Sequence, residues 1–530
     1  MNDITLKIMK TKYFMLAALA LIAVPGVAQE TYQDTKLIDN DLNGTARYVG
    51  MGGAMEALGA DISTISTNPA GIGLFRKGQV SISGGGVFQQ DAKTHLNYGG
   101  TNLNFDGNKN NFSFDQIGVV WSQRTGRNSY LNFGFNYHKS RNFDQILSCA
   151  NNLVNASQNK NTAAKYSYAQ TLSKDEANII WNGVDANYEG LMAKSADGKE
   201  MDYLNGTQYL FGQYQKGYIG EYDFNVSGNL NNRVFLGLTF GFHDVHYRSN
   251  SMYTEDLEQN YFATSYENLK ITGNGFDLKL GAIFRPIEES PFRIGLYVST
   301  PTFYDLTVDG DNDIQMGTQS EGVTAQKGNS SSYDFKVYTP WKFGVSLGHT
   351  VGDYLALGAT YEYADYSHID NRINDGGSYD WYYDEYYTSS SSDKYMNDDT
   401  KANLKGVSTL KFGLEYKPMP EFAIRLGYNY LSPMFKKNAY RDGTVPSPGV
   451  AYATSTDYTN WDSTNRVTCG FGYTVNKFFV DLAYQYTAQN GTFVPFMSYK
   501  GSDAQTENIP TASDVHFKRH QLLLTFGYKF

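Results

Sequence analysis

Gln521-Leu522-Leu523-Leu524-Thr525-Phe526-Gly527-Tyr528-Lys529-Phe530 ends the chain on a two-residue period. Leu522, Leu524, Phe526, Tyr528 and Phe530 fall on one face. Gln521, Leu523, Thr525, Gly527 and Lys529 fall on the other. Successive side chains of a strand point to opposite faces, so this pattern predicts a strand with one greasy, aromatic-tipped side. Such a strand suits the wall of a barrel in lipid. A chain that stops on it resembles bacterial outer-membrane proteins, and that likeness implies that the barrel-insertion machinery reads Phe530.

The composition agrees. Aromatics make up 15% of the 530 residues, with 43 Tyr and 32 Phe, and Gly reaches 52. Tyr and Trp collect where lipid meets water, and transmembrane barrels carry girdles of them. Mean hydropathy is −0.47, and no apolar run of about 18 residues occurs beyond the N-terminus, which excludes helical spans. A barrel escapes that test because only alternate residues are apolar.

Lys7, Lys10 and Lys12 precede the apolar run Tyr13 to Val24, and small residues follow up to Ala28. Residues 1–28 therefore read as a signal peptide cleaved after Ala28, with Met1 or Met9 as the start. The formal charge is −10, and removing a leader with three Lys and one Asp leaves about −12. That balance fits neither nucleic acid nor a polybasic membrane contact. Cys149 and Cys469 are far apart and lack metal spacing. A disulfide between them and a lipid-facing Cys469 are both open readings.

Period-two segments bounded by turn signals occur near 78–88, 112–122, 129–139, 218–229, 232–246, 269–285 and 291–304. They continue at 334–349, 353–366, 406–418, 421–432, 464–475, 477–488 and 517–530, which makes fourteen. Short and long connectors alternate between them, as expected for periplasmic turns and extracellular loops. The fold class is thus all-β: an antiparallel transmembrane barrel of about 14 strands over 78–530, with both termini periplasmic. Within the long connector 140–217, Asn142 to Leu191 has approximate helical spacing, with Ile146, Leu147, Ala150 and Leu153 as an example, and reads as one or two helices of an extracellular cap or as a disordered loop.

Residues 29–77 do not alternate and cannot be wall. They hold Gly44, Gly50, Gly52, Gly53 and Gly59, then Asn68-Pro69-Ala70-Gly71. A fourteen-strand barrel is wider than those whose own side chains fill the bore. A compact Gly-rich segment of this length is the right size for a plug.

Gly44-Thr45-Ala46-Arg47, Gly50-Met51-Gly52-Gly53-Ala54, Ala57-Leu58-Gly59-Ala60-Asp61 and Asn68-Pro69-Ala70-Gly71 resemble the N-terminal hatch of the FadL/TodX family of outer-membrane transporters of hydrophobic compounds. The Tyr- and Asn-rich loops look like a Bacteroidetes-type member. The resemblance implies uptake of hydrophobic small molecules, such as long-chain fatty acids, by passive diffusion, hatch movement and lateral release. It implies a monomer among outer-membrane lipids and lipopolysaccharide, and it places gating at Asn68, Pro69, Ala70 and Gly71. Asn68 is then expected to bond to wall backbone left unpaired at a defect; a plain Asn-Pro turn launching the first strand is the other reading. Met51 and Met55 suit an adaptable ligand pocket or ordinary plug packing. Phe143, Ile146, Leu147 and Leu153 suit an outer apolar groove or a helix–helix contact.

No residues are placed for catalysis, no metal spacing occurs and no cofactor is implied. Asp309 to Asp313 resembles half a calcium loop but has Ser320 where the twelfth-position Glu belongs, so it reads as a solvated turn. His243 and His246 lie three apart on one strand and face opposite ways. The competing functions are a general porin, a haem or other ligand-binding receptor and an adhesin. Inward positions are mostly Gly, Asn, Ser and Thr with scattered Lys279, Arg293 and Arg425, which does not build a porin's charged constriction. The whole chain is expected to show negligible single-channel conductance and to conduct steadily once Gln29 to Gly73 is deleted; equal conductance of the two forms would remove the plug from the account.

Overall fold

The computed structural model describes residues 30–104, 107–382, 385–500 and 507–530. The expected signal peptide, residues 1–28, lies outside them. Fourteen staves close into one antiparallel barrel. They are β1 (Gln79–Gln90), β2 (Asn110–Arg124), β3 (Tyr130–Asn142), β4 (Gly206–Leu230), β5 (Val234–Leu257) and β6 (Tyr261–Phe284). β7 has two parts, Arg293–Ser299 and Phe303–Thr318, as does β8, Gly322–Tyr338 and Lys342–Val351. β9 (Leu355–Asp365), β10 (Gly406–Met419), β11 (Phe422–Leu431), β12 (Tyr458–Val475), β13 (Phe478–Val494) and β14 (Ser513–Lys529) complete the wall. The last stave closes on the first, from Gln79 opposite Lys529 to Gln90 opposite Lys518.

Each of the fourteen predicted segments lies in one stave. The terminal alternation holds: Leu522 and Phe526 are exposed, whereas Leu523 and Thr525 are fully buried. Aromatics bound the apolar belt. Tyr222, Phe242 and Phe276 pair across β4, β5 and β6 at one edge. Trp121 and Phe530 meet at 5.9 Å between ring centres at the other.

The staves run well past this belt. β4, β5 and β6 have 25, 24 and 24 residues, more than twice what a tilted strand needs to cross a bilayer. Sequence patterning misses these extensions because their outer face is polar: Lys216, Arg248 and Lys270 stand opposite one another there. Asp309 to Asp313, read above as a turn, lies within the long part of β7. β7 and β8, each read as one strand, break at Pro301 and Pro340, which have no N–H for the ladder. Thr302 and Thr339 repair the neighbouring backbone: Thr302 N–H donates to Thr339 Oγ1 at 2.8 Å, and Thr339 N–H donates to Thr302 O at 3.1 Å.

The connector after β3 corrects a second expectation. Residues Gln145–Asn152 form a strand paired with β4, not a helix. Helical spacing in a short run loses to a ready-made β4 edge that satisfies each backbone group. The helices come later, as α3 (Gln158–Ala169), α4 (Lys174–Ile180) and α5 (Gly183–Glu189). They cap the barrel at its long-loop end, where nearly buried Lys165 pairs with Asp185. Cys149 is buried and Cys469 lies on the outer wall; both are free thiols.

Residues 30–77 run inside the wall and explain its inward chemistry. The inward Asn, Ser and Thr side chains bond to this segment's backbone. Asn132 Nδ2 donates to Ile72 O at 2.7 Å, Ser227 Oγ to Pro69 O at 2.8 Å, and Thr239 Oγ1 to Ile65 O at 3.0 Å. Two ion pairs add to these. Arg47 Nε meets Glu415 Oε2 at 2.9 Å, and Lys411 Nζ meets Glu56 Oε1 at 2.8 Å. Glu415 also holds Arg425, which continues to Asp481 at 2.6 Å. Arg425, which looked isolated in sequence, is therefore part of a network, and Arg293 donates to Leu58 O at 2.7 Å. Removing one partner of a buried pair costs about 3–5 kcal/mol. Glu415→Ala is expected to lower barrel stability by that amount, read as the temperature at which the heat-modifiable band shifts on gels, with Glu415→Gln intermediate; unchanged transitions would show that the network contributes nothing.

Candidate functional site

The N-terminal segment opens with α1 (Thr31–Ile38), set in the long-loop half of the bore. Tyr32 stacks on Phe435 with ring centres 5.2 Å apart, and Glu30 pairs with Arg441 at 3.2 Å. The chain then descends to α2 (Ala46–Gly50), which packs on β11, β12 and β13. Gly52 has φ +63°, and a Cβ there would sit 2.8 Å from the Tyr428 N–H nitrogen, so only glycine fits both the turn and the wall. The segment ends in a 3-10 turn, Pro69–Leu74, against β4, β5 and β6.

Asn68 is buried and caps that turn, accepting from Ala70 N–H at 3.2 Å. Its amide donates to Glu56 O at 3.0 Å and makes a long contact of 3.5 Å to Ala282 O. Pro69, Ala70 and Gly71 are buried with it, and inward Gly237 and Gly281 leave room for Asn68 and Pro69 against the wall. The wall is fully paired here: Ala282 sits between Leu236 and Leu296. The defect that Asn68 was expected to cover lies elsewhere.

It lies between β2 and β3. Their ladder runs from Arg124–Tyr130 only to Gln116–His138. Above that, Asn110 to Phe114 pair with β1 alone. β3 bulges between Lys139 and Arg141. Two residues of the N-terminal segment cover the freed backbone. Asp41 N–H donates to Ser140 O at 2.8 Å, and Asn142 N–H donates to the Asp41 carboxylate at 2.9 Å. Asn43 Nδ2 donates to Lys139 O at 3.0 Å and to Asp115 Oδ1 at 2.9 Å. Asp41 and Asn43 belong to no motif, so neither stands out in the sequence.

Asp41 is also the centre of an arginine clamp. Arg519, Arg141 and Arg466 stand 2.8, 3.6 and 3.8 Å from its carboxylate. Burial alone would raise this carboxyl, but the three guanidiniums hold it well below the usual carboxylate range. The Nε of each arginine is buried without a hydrogen-bond partner.

Above the clamp an apolar cluster shares the bore with Lys36, Arg441 and Asp457. Leu37 and Ile38 of α1 pack with Val245, Ile271, Phe335 and Val337. Phe143 joins this cluster, its ring 5.0 Å from that of Tyr247. Ile146 packs instead with Leu103 and Leu210, and Leu147 and Leu153 pack with Phe211 and Phe493. The four residues offered as one outer groove thus divide among three clusters, because residues 145–152 alternate as a strand. Met51 and Met55 pack against Leu58, Ala483 and Leu523, filling the interface between segment and wall. The two lumen cavities measure about 110 and 120 Å³, below the 300–1,000 Å³ of small-molecule pockets. A depression of about 890 Å³ lies on the outer face, lined by Leu236, Leu280, Leu296 and Phe343, and faces the acyl region.

No family model and no curated protein matches the chain. Among solved structures, a FadL homologue of Pseudomonas aeruginosa matches with a TM-score of 0.50 at 12% identity, over 93% of this chain and 99% of its own. The fold is that of the FadL family. The monoaromatic hydrocarbon channel CymD follows with 0.48 at 10% identity, over 93% and 99% of the two chains. The Ralstonia pickettii toluene transporter TbuX gives 0.47 at 12%, over 92% and 99%.

In this FadL-fold chain, α1 is held from above by α6 (Lys394–Asn403). Thr31 Oγ1 donates to Asp399 at 2.9 Å. Burial, then the nearby Glu30 carboxylate, pushes Asp399 up to about 7. A raised folded-state value favours the docked helix below the ordinary carboxyl range, and that advantage disappears as pH rises through 7. Undocking of α1, read as labelling of a cysteine at Leu37 in a Cys149→Ser/Cys469→Ser background and corrected for thiolate fraction, is expected to be about tenfold more favourable at pH 8 than at pH 6. Asp34 of α1, whose carboxyl burial also raises, acts in the same direction, so Asp399→Asn is expected to reduce the difference and Asp34→Asn/Asp399→Asn to abolish it; a pH-independent wild type would refute the coupling.

Proposed function

We propose that this protein is an outer-membrane channel for hydrophobic small molecules that carry an anionic head, with long-chain fatty acids as the substrate class. The observation that carries the reading is the pairing of an apolar chamber with the three-arginine clamp, both occupied by the chain's own N-terminal segment. Leu37 and Ile38 stand where a tail would lie, and the Asp41 carboxylate stands where a head group would lie. Entry of a ligand therefore requires α1 and Asp41 to withdraw. Apolar burial at about 25 cal/mol per Å² gives an eighteen-carbon chain a large gain on leaving water, so downhill diffusion needs no other energy source.

The same displacement opens an exit. Asp41 and Asn43 cover the wall where β2 and β3 part, so a ligand that displaces them from the clamp also uncovers this break. We place lateral release into the membrane there. Asn68 to Gly71 form the fixed anchor around which the upper segment moves. The signal peptide, the apolar belt and the terminal Phe530 support export to the outer membrane, insertion by the barrel machinery and surroundings of lipid and lipopolysaccharide, with the monomer as the working unit. A general porin is disfavoured by the filled bore.

Mass spectrometry of lipid co-purified in mild detergent tests the substrate class, and a fatty acid or related amphiphilic acid is expected. Displacement of a fluorescent fatty acid by palmitate is expected to weaken about tenfold in Arg466→Ala/Arg519→Ala, with little change for an uncharged hydrocarbon probe. If the hydrocarbon binds the wild type as well as the acid does, the head-group assignment fails and an aromatic or alkane substrate takes its place.

A further inference from the structure

Beside the lower lumen cavity, four staves bring together two histidines and three carboxylates that the transport reading does not use. His138 comes from β3, Glu221 and Asp223 from β4, His243 from β5 and Asp277 from β6. All five are buried, the histidines at 7% and 6% exposure. Lys279 sits among the carboxylates. Its Nζ takes one oxygen from each: Glu221 Oε1 at 2.6 Å, Asp277 Oδ1 at 2.7 Å and Asp223 Oδ1 at 3.2 Å.

The opposite oxygen of every carboxylate faces an imidazole. Asp277 Oδ2 lies 3.0 Å from His243 Nε2, a hydrogen bond that puts the ring proton on Nε2. His243 Nδ1 is then a bare lone pair, and it points at Glu221 Oε2 from 3.9 Å. His138 Nε2 approaches the same Glu221 Oε2 to 3.5 Å, and its Nδ1 lies 3.6 Å from Asp223 Oδ2. His138 Nδ1, His243 Nδ1 and Asp223 Oδ2 are buried with no hydrogen-bond partner. The His243 Nδ1 lone pair thus faces a carboxylate, and His138, with one ring proton for two carboxylates, turns its own lone pair to another. Lys279 is the one ammonium among three buried carboxyl groups, which leaves the cluster short of positive charge.

We propose that this cluster is a divalent transition-metal site, with zinc the best fit. His138 Nε2, His243 Nδ1 and Glu221 Oε2 are the ligands. Metal–ligand bonds of about 2.0–2.2 Å in a tetrahedral site separate neighbouring ligand atoms by roughly 3.4 Å. The spacings from Glu221 Oε2 to the two imidazoles, 3.5 and 3.9 Å, need to close by a few tenths of an ångström, and the imidazoles, which flank Glu221 in two separate ligand groups, must turn toward each other to share one ion. Two imidazoles and one carboxylate form a recurrent zinc donor set that leaves a fourth position open. Asp277 and Asp223 supply the outer carboxylates that orient metal-bound histidines: Asp277 holds His243 by Nε2, and Asp223 faces the Nδ1 of His138. One divalent cation balances the surplus charge. Sequence spacing excluded only a joint role for His243 and His246, and His246 is indeed on the outer face. The partner of His243 comes from two staves away.

Calorimetry tests this with full-length protein in mild detergent, stripped by chelator and titrated with Zn²⁺ alone; Co²⁺ absorbance gives a second reading. One Zn²⁺ per chain is expected, with Kd on the order of micromolar or tighter, together with a visible Co²⁺ band of low-coordinate N/O ligation. His138→Ala and His243→Ala should each weaken binding by more than tenfold, and Asp277→Asn by about 10–100-fold. His246→Ala should leave it unchanged. Heat-modifiable mobility shows which variants keep the barrel. The proposal is overturned if the wild type takes up no stoichiometric metal, or if the His138→Ala/His243→Ala double variant binds as the wild type does. No hydrophobic ligand enters the assay, so its failure leaves the transport reading standing, and failure of that reading leaves this one.

Discussion

A barrel of fourteen staves encloses more space than its inward side chains can fill, and the chain meets that constraint with its own N-terminal segment. Much else follows. A backbone inside a barrel carries N–H and C=O groups that need partners, so inward Asn132, Ser227 and Thr239 supply them. A backbone pressed on a wall needs room, so Gly237 and Gly281 stand where Pro69 and Asn68 touch. A removable filling must also be held by contacts that can be exchanged. The Asp41 clamp meets that need, since a ligand carboxylate offers arginines the same chemistry.

The wall was legible because lipid imposes a strict rule on the outer face. Apolar side chains must alternate wherever a stave crosses the belt, and each of the fourteen alternating runs marks a crossing. The rule ends at the aromatic edge. Beyond Tyr222, Phe242 and Phe276 both faces of a stave can be polar, so the far ends of β4, β5 and β6 left no periodic trace. Pro301 and Pro340 were visible, but their effect depends on Thr302 and Thr339 meeting across two staves.

The site was less legible, and for a different reason. Asn68 belongs to a motif and so drew weight, yet the wall beside it is a complete ladder. Asp41 and Asn43 belong to no motif, and their importance depends on which backbone groups of β3 lack partners, which only the folded register reveals. The same holds for His138 and His243, 105 positions apart in the chain yet both facing Glu221. Cross-stave neighbours are set by register and shear, and a single sequence carries little direct record of either.

Cross-linking the segment to the wall tests the central claim, that the interior segment must leave the β2–β3 break for transport to occur. Cysteines at Asn43 and Asp115, whose side chains now touch at 2.9 Å, are joined by a short cleavable thiol reagent in a Cys149→Ser/Cys469→Ser background. Fatty-acid uptake is then measured before and after cleavage. The account predicts uptake near zero while the link holds and recovery once it is cut. Uptake at the unlinked rate with the link intact would contradict it.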